Sequence, residues 1–353
     1  MTDGAEFPEG LGRLGELPRA QLFSGTTQLE DMPNLTAHMG KARLLVKRDD
    51  CTELAFGGNK VRQLEFYFGQ AQAKNADTVL ITGAVQSNFA RLTAAAARKL
   101  GMDCHIQLEE RVAKNDPYYR TSGNVLLEKM MGATIHSFPE GEDEVGADRQ
   151  LHEIADGLKE QGRTPYIIPL APGHAPFGAL GYAVMAHELS AQLKTQGIAA
   201  DEIVVASGSG ATHAGLLFGL RAIGDPTPVR GICVRRDAAL QGPRIAKRCE
   251  EIAELLGISS RVSDEDVIVD EGVLAPGYGR AGPEVQHAIL EGARHESLML
   301  DPTYAGKSFA GFLQRAEQST ENEALVFVHT GGTPGIFAYQ NDIEAAVAAL
   351  ELQ

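Results

Sequence analysis

Short Val- and Ile-rich runs alternate with amphipathic segments along most of the chain, and this rhythm constrains the fold more than any other feature. "DTVLITG" precedes "NFARLTAAAARKLG", "ATIHSF" precedes "ADRQLHEIADGLKEQG", and "EIVVASG" precedes "THAGLLFGLRAIG". Later, "VRGICVRR", "DVIVDEG" and "ALVFVHTGG" continue the pattern. Strand-length apolar runs joined by helices suit mostly parallel sheets covered on both faces, so the expected class is α/β. A chain of 353 residues has room for two domains. It shows no internal repeat, and the Gly/Pro-rich stretch "APGHAPFGALGY" (171–182) is the best candidate for a crossover between them.

Composition removes several function classes. A formal charge of −15 leaves no basic surplus for neutralising phosphates, so nucleic acid is not an expected partner. The apolar runs are too short to span a bilayer, and "MTDGAEFPEGLGRLGEL" has neither a basic n-region nor a long apolar run. The expectation is a cytoplasmic protein without membrane contact. Cys51, Cys104, Cys233 and Cys249 are scattered and form no C-x-x-C, so neither a disulfide framework nor a metal site is expected.

Ligands of open α/β sheets bind beyond the carboxyl ends of the strands, and the chemistry-bearing stretches fall in such loops. "SGSGATHAG" (207–215) lies between a strand and a helix. Its small residues let backbone N–H groups turn inward at a helix N-terminus, and Thr212 adds a hydroxyl, which together suit a phosphate. A tight turn built for packing alone has the same composition. Neither the P-loop pattern nor a completed G-x-G-x-x-G is present.

"FGGNK" (56–60) sets two glycines and an asparagine before Lys60. A lysine amine attacks carbonyls when its surroundings lower its pKa, and the glycines leave room for close approach. The plain alternative is a surface lysine at a helix start. Ser87 and Asn88 open the alanine-rich segment 88–101, where either could simply cap a helix. Tyr278 in "APGYG" and Tyr304 in "DPTYAGKS" are loop tyrosines, of the kind found both at sites and on surfaces. "VFVHTGGTPG" offers Thr330 to a ligand, while His329 reads as a structural histidine.

"KRDD", "FGGNKVRQLEF", "TGAVQSNFARLTAAAARKLGM", "ASGSGATHAGL", "APGYG", "DPTYAGKS" and "HTGGTPGIFAY" follow one another in an order that resembles the D-cysteine desulfhydrase and 1-aminocyclopropane-1-carboxylate deaminase family. The resemblance runs from about Leu22 to Tyr339. It implies the two-domain, tryptophan-synthase-β-like fold (fold type II) and the cofactor pyridoxal 5'-phosphate. The large domain would comprise 1–56 and 171–353. The small domain, 57–170, would contribute Lys60, Ser87 and Asn88. By the same resemblance Lys60 bonds to the cofactor aldehyde, Asn88 meets the ring oxygen, and Ser207, Gly208, Ser209, Gly210, Ala211 and Thr212 hold the phosphate. Ser87, Asn88, Phe89, Gly173, Tyr278 and Tyr304 would surround a small amino-acid substrate, with Lys60, Ser87, Tyr278 and Tyr304 catalytic. The assembly implied is a homodimer.

Two positions bear on the reaction. The deaminase members carry Glu after the second tyrosine and Leu after the His of the last motif; here these are Ala305 and Thr330. Alanine cannot keep a proton on the pyridine nitrogen, and a neutral Thr330 hydroxyl leaves the ring a weaker electron sink. This favours loss of a β-substituent over opening of a cyclopropane. The expected activity is a β-elimination lyase of the D-cysteine desulfhydrase or L-cysteate sulfo-lyase type. A cyclopropane deaminase, an amino-acid racemase and an inactive cofactor-binding protein are the alternatives. Phe89, where the family often has His, and "APGHAPF", in place of a Gly-Gly-Ser-type loop, put the substrate itself in question.

Overall fold

The computed structural model describes residues 9–170 and 173–351, and ten strands among them form two sheets. The first six-stranded sheet takes β1 (Leu29–Asp31), β2 (Arg43–Lys47), β7 (Glu202–Ser207), β8 (Val229–Cys233), β9 (Ile268–Asp270) and β10 (Ala324–Val328) in the order β1-β2-β10-β7-β8-β9. All neighbours are parallel except the β1–β2 edge pair. The second sheet takes β3 (Thr78–Ala84), β4 (Asp103–Glu109), β5 (Thr134–Phe138) and β6 (Pro165–Ile168) in the order β5-β4-β3-β6, all parallel.

Both faces of the large sheet are covered. Helices Phe177–Gln196, Ala211–Ala222 and Ala238–Leu256 close one core, around Leu180, Leu217 and Ile252. Helices Pro33–Met39, Pro283–Glu296 and Ala305–Glu317 close the other. There Phe327 of β10 lies between Phe309 and Phe312, with ring centroids 4.9 and 5.6 Å away. Each fully buried phenylalanine contributes roughly 1.5–3 kcal/mol. Central strands such as β7 and β10 are buried at every residue, which is why they read as unbroken apolar runs. The stretch Glu9–Glu16 is docked as well: Leu11 and Leu14 are buried in the first core.

Helix Lys60–Ala73 carries the lysine, and a buried charge cluster fixes it. Arg62 donates to both oxygens of Asp49 at 3.0 Å and to Glu188 Oε2 at 2.8 Å. Tyr182 donates to Asp49 Oδ2 at 2.6 Å, and Lys47 bonds Glu188 and the Thr27 carbonyl. Burial by itself would push the Asp49 carboxyl up; Arg62 and Lys47 hold it below its ordinary value.

Candidate active site

The carboxyl ends of strands from both sheets open onto one cleft of about 890 Å³. Gly83 and Ala84 end β3, Arg111 follows β4, Leu170 follows β6, Ala206 and Gly208 bracket the end of β7, Arg235 and Arg236 follow β8, and Thr330 follows β10; all line the cleft. This is where an open α/β sheet receives ligands.

Lys60 opens its helix on the cleft wall. Its amine lies 3.4 Å from Gln63 Oε1 and 5.1 Å from the Phe89 ring centroid, with no carboxylate bonded to it among the described residues. Burial without a counter-charge lowers its pKa from 10.5 to about 8. The loop before it is held in an unusual conformation: Glu53, Ala55 and Phe56 have φ of 47°, 43° and 68°. Arg91, from the helix Asn88–Lys99, bonds the carbonyls of Ala55 and Gly57 and holds this loop. The glycines of "FGGNK" serve that loop rather than a ligand. Gly57 has φ 60° and a Cβ there would lie 2.0 Å from the Asp50 carbonyl oxygen; at Gly58 (φ 125°) it would lie 3.1 Å from that of Thr330. The expected room for a ligand is filled by backbone.

Asn59 reaches the opposite side. Its Nδ2 donates to Thr212 Oγ1 at 2.8 Å, and Gln63 Nε2 donates to the same oxygen at 2.9 Å. A hydroxyl that accepts two hydrogen bonds keeps its own proton to give away. Thr212 sits in the first turn of helix Ala211–Ala222, whose N-cap is Gly210 (φ 96°) and carries no side-chain cap. The first N–H groups of that helix are therefore left for a ligand. Arg244 Nε and Arg236 Nη1 bond the carbonyls of Ser209 and Gly208 at 2.9 and 3.4 Å. Uncapped N–H groups, one free hydroxyl proton and two nearby guanidiniums fit a phosphate.

Ser87 caps helix Asn88–Lys99, its Oγ accepting from Ala90 N–H at 3.1 Å, and it also lines the cleft. Asn88 Oδ1 accepts from Asn124 at 2.9 Å, which turns the amide nitrogen of Asn88 toward other partners. Tyr278 and Tyr304 face each other through a short hydroxyl–hydroxyl hydrogen bond, with rings 5.9 Å apart at 75°. Burial raises both phenols above their ordinary pKa. Asp301 fixes the Tyr304 loop by accepting the N–H groups of Thr303, Tyr304 and Ala305, while Lys307 fixes the Tyr278 loop through the carbonyls of Leu274 and Gly277.

Three expected residues do not line the main cleft, although the backbone N–H of one of them, Ala211, opens the uncapped helix described above. Ala206 and Gly208 line the cleft, so Ser207 between them points to the other face of the strand, as the two-residue period of a strand requires. Its hydroxyl is buried, accepting from Gln241 at 2.8 Å and paired with His213 at 3.2 Å. Ala211 borders a smaller neighbouring cavity with Ser209 and Arg248. Gly173 is exposed and lines neither cavity; His174, Ala175 and Pro176 border the smaller one. Ala171 and Pro172 of the same stretch are outside the described residues. Conversely, Arg111, Glu144, Arg235, Arg236 and Arg244 line the main cleft without having been singled out in the sequence.

Comparison with known proteins agrees with this geometry. The family model described as pyridoxal-phosphate dependent enzyme matches residues 20–331. A D-cysteine desulfhydrase of Yersinia enterocolitica is 38% identical over 333 residues, covering 94% of this chain and 98% of that protein. One from Klebsiella pneumoniae is 37% identical over 331 residues, covering 93% and 98%. The crystal structure of an ACC deaminase homologue aligns with a TM-score of 0.85 at 36% identity, over 97% of this chain and 100% of that one. With its two mostly parallel sheets of fold type II and a cleft suited to the cofactor, the chain belongs to the pyridoxal-phosphate-dependent enzyme family.

Proposed function

We propose that the protein is a lyase that eliminates the β-substituent of a small amino acid in the manner of a D-cysteine desulfhydrase, giving pyruvate, ammonia and sulfide. The observation that carries this reading is that Lys60, whose amine meets only Gln63 Oε1 at 3.4 Å, and the hydroxyl-paired Tyr278 and Tyr304 line one cleft. Lys60 is lowered to about 8, whereas Tyr278 and Tyr304 are raised. At neutral pH the phenols keep their protons, while burial makes Lys60 hold its proton less tightly than a solvated lysine, which separates acid from base.

Bound pyridoxal phosphate supplies an aldehyde that bonds covalently to amines and a ring that withdraws electrons from the substrate's Cα. Lys60 would hold the cofactor through its amine and would serve as the base for the α-proton. Ser87 and Asn88 present a helix N-terminus to the substrate carboxylate. The tyrosine pair donates a proton toward the departing sulfur. Thr330, which lines the cleft, would offer a neutral hydroxyl to the cofactor ring, and Ala305, buried at the start of its helix, carries no polar group to offer. That pairing supports elimination over cyclopropane opening. L-Cysteate, with sulfite as the leaving group, is the second substrate reading, favoured by Arg111 and Arg235 in the cleft wall.

The proposed domains, 1–56 with 171–353 and 57–170, are supported by the sheets, because β3 to β6 all fall within 78–168. A cytoplasmic homodimer remains part of the proposal, supported by the family resemblance; light scattering on the purified protein tests the dimer. The central test is keto-acid release from D- and L-cysteine, L-cysteate and 1-aminocyclopropane-1-carboxylate. Pyruvate from a cysteine or cysteate, lost in Lys60→Ala together with the borohydride-sensitive visible band, supports the reading. Racemisation without ammonia, or 2-oxobutyrate from the cyclopropane acid alone, overturns it.

A further inference from the structure

Away from the cleft, three metal-ligating side chains meet where helix Pro33–Met39 packs beside helix Pro283–Glu296. Glu291 and His295 are one helical turn apart, so they share a face of the longer helix. His38 comes from the last turn of the shorter one. Both imidazoles bring Nε2 to the same carboxylate oxygen, Glu291 Oε2, each at 3.3 Å. The ring centroids lie 4.4 Å apart with planes 31° from parallel, and the ligand atoms of all three residues fall within 4.8 Å of one another.

A charged nitrogen normally bonds a carboxylate at about 2.7–2.9 Å, so 3.3 Å is long for that contact. Protonating both rings would also set two cations side by side over one anion. A metal ion removes both difficulties. Tetrahedral zinc, with bonds of about 2.0–2.1 Å, spaces its ligand atoms about 3.3–3.4 Å apart. The two N···O separations match two edges of such a tetrahedron. The third edge, between the imidazole nitrogens, is adjusted by rotation of His38, whose side chain is 53% exposed. Two further contacts pin the helices beside the cluster without any ion. Asn34 Nδ2 donates to the His295 carbonyl at 2.9 Å, and Glu296 Oε1 accepts from the Leu35 N–H at 2.7 Å.

We propose that His38, Glu291 and His295 bind one divalent transition-metal ion of the zinc class, with water as the fourth ligand. Two imidazoles and a carboxylate suit zinc, cobalt or nickel, whereas calcium and magnesium take oxygen ligands. The ion joins two of the helices that cover one face of the large sheet, and the longer of them follows the Tyr278 loop. None of the three side chains lines the cleft, so the site acts on stability and takes no part in the reaction. His38 lies far in sequence from Glu291 and His295, and the chain alone therefore displays no metal-ligand spacing.

The test strips the untagged holoenzyme with a chelator, then titrates it with zinc by calorimetry and with cobalt by the visible bands of tetrahedral Co²⁺. One ion per chain is expected, with magnesium unable to compete. His38→Ala and His295→Ala are each expected to weaken binding by more than about 100-fold, the upper range for losing a partner one shell further out. Zinc is expected to raise the melting temperature of the parent protein, because it binds the folded state, and to leave that of His38→Ala unmoved. Glu291→His keeps three ligands and is expected to keep the tetrahedral cobalt spectrum, whereas Glu291→Ala loses it; misfolding cannot imitate that pair of results. The cofactor's visible band is expected to persist in every variant. No uptake of zinc or cobalt, or uptake that all the variants retain, overturns the site. Metal uptake and melting temperature are read without any substrate, so failure of the elimination reading leaves this result standing.

Discussion

Asn59 donates through Nδ2 to Thr212 Oγ1 across 2.8 Å, joining the residue before Lys60 to the first turn of the helix that suits phosphate. Gln63, one turn further along the lysine helix, bonds the same oxygen. The segment bearing Lys60 and the segment proposed to hold the phosphate are therefore registered to each other through one hydroxyl.

Thr212→Val keeps the shape and removes this junction. Two buried amides lose their acceptor, and the expected result is a rise in the cofactor dissociation constant of about 10- to 100-fold. Titrating the apoprotein with pyridoxal phosphate and reading the visible band measures it. An unchanged constant would show that Thr212 serves packing alone.

The Lys60 amine fixes a pH dependence. Only the neutral amine attacks an aldehyde, and burial places its pKa at about 8 instead of 10.5. The free amine is the half-population at that pH, against roughly 0.3% for an unperturbed lysine. Reconstitution of the apoprotein therefore speeds up as pH rises, with its inflection near 8 and a plateau roughly one unit higher. Stopped-flow absorbance across the range checks it; an inflection above 10 contradicts the burial argument.

Tyr278→Phe and Tyr304→Phe each remove one end of a shared hydrogen bond. Each variant is expected to lower kcat by about 10²–10⁴, the usual contribution of a positioned acid. Because the two phenols act as one unit, the double variant should fall only slightly below the weaker single variant. Additive losses would instead assign them separate steps.

Arg62→Met leaves Asp49 and Glu188 short of their shared cation in a closed interior. The expected destabilisation is about 3–5 kcal/mol, read by urea unfolding. In the parent protein the carboxyl of Asp49 is held low, so its contribution is fully present above the unfolded value near 4 and is lost as pH falls through the lower folded value. In the variant the carboxyl rises, and the acid limb of the stability curve moves to higher pH.

Elements with a strong local signal were readable in the chain. Buried strands such as "VLITG" and "ALVFV" contrast with their neighbours, and the loops after them bring Lys60, Ser87, Asn88, Thr212, Tyr278, Tyr304 and Thr330 to one cleft. The Ser207 side chain turns away from the cleft because the last residue of a strand alternates faces, and a glycine-serine run does not reveal which face looks into the cleft. The arginines left no mark. Arg111, Arg235 and Arg236 follow strands that are far apart in sequence, and a charge after a strand resembles any solvated turn until the sheets are assembled. Asp301 and Lys307 were equally silent, since they act on backbone groups of loops and not on the cleft itself.

Strand β10 occupies an interior place between β2 and β7 although it is the last strand in the chain. During vectorial synthesis the four-strand unit, contiguous within 78–168, has all its strands available early. The six-strand unit must wait for residue 328 to leave the ribosome before the gap beside β7 is filled. Until that moment the flanks of β2 and β7 stand open, so the nascent chain carries Lys60 long before it owns a finished floor beneath it.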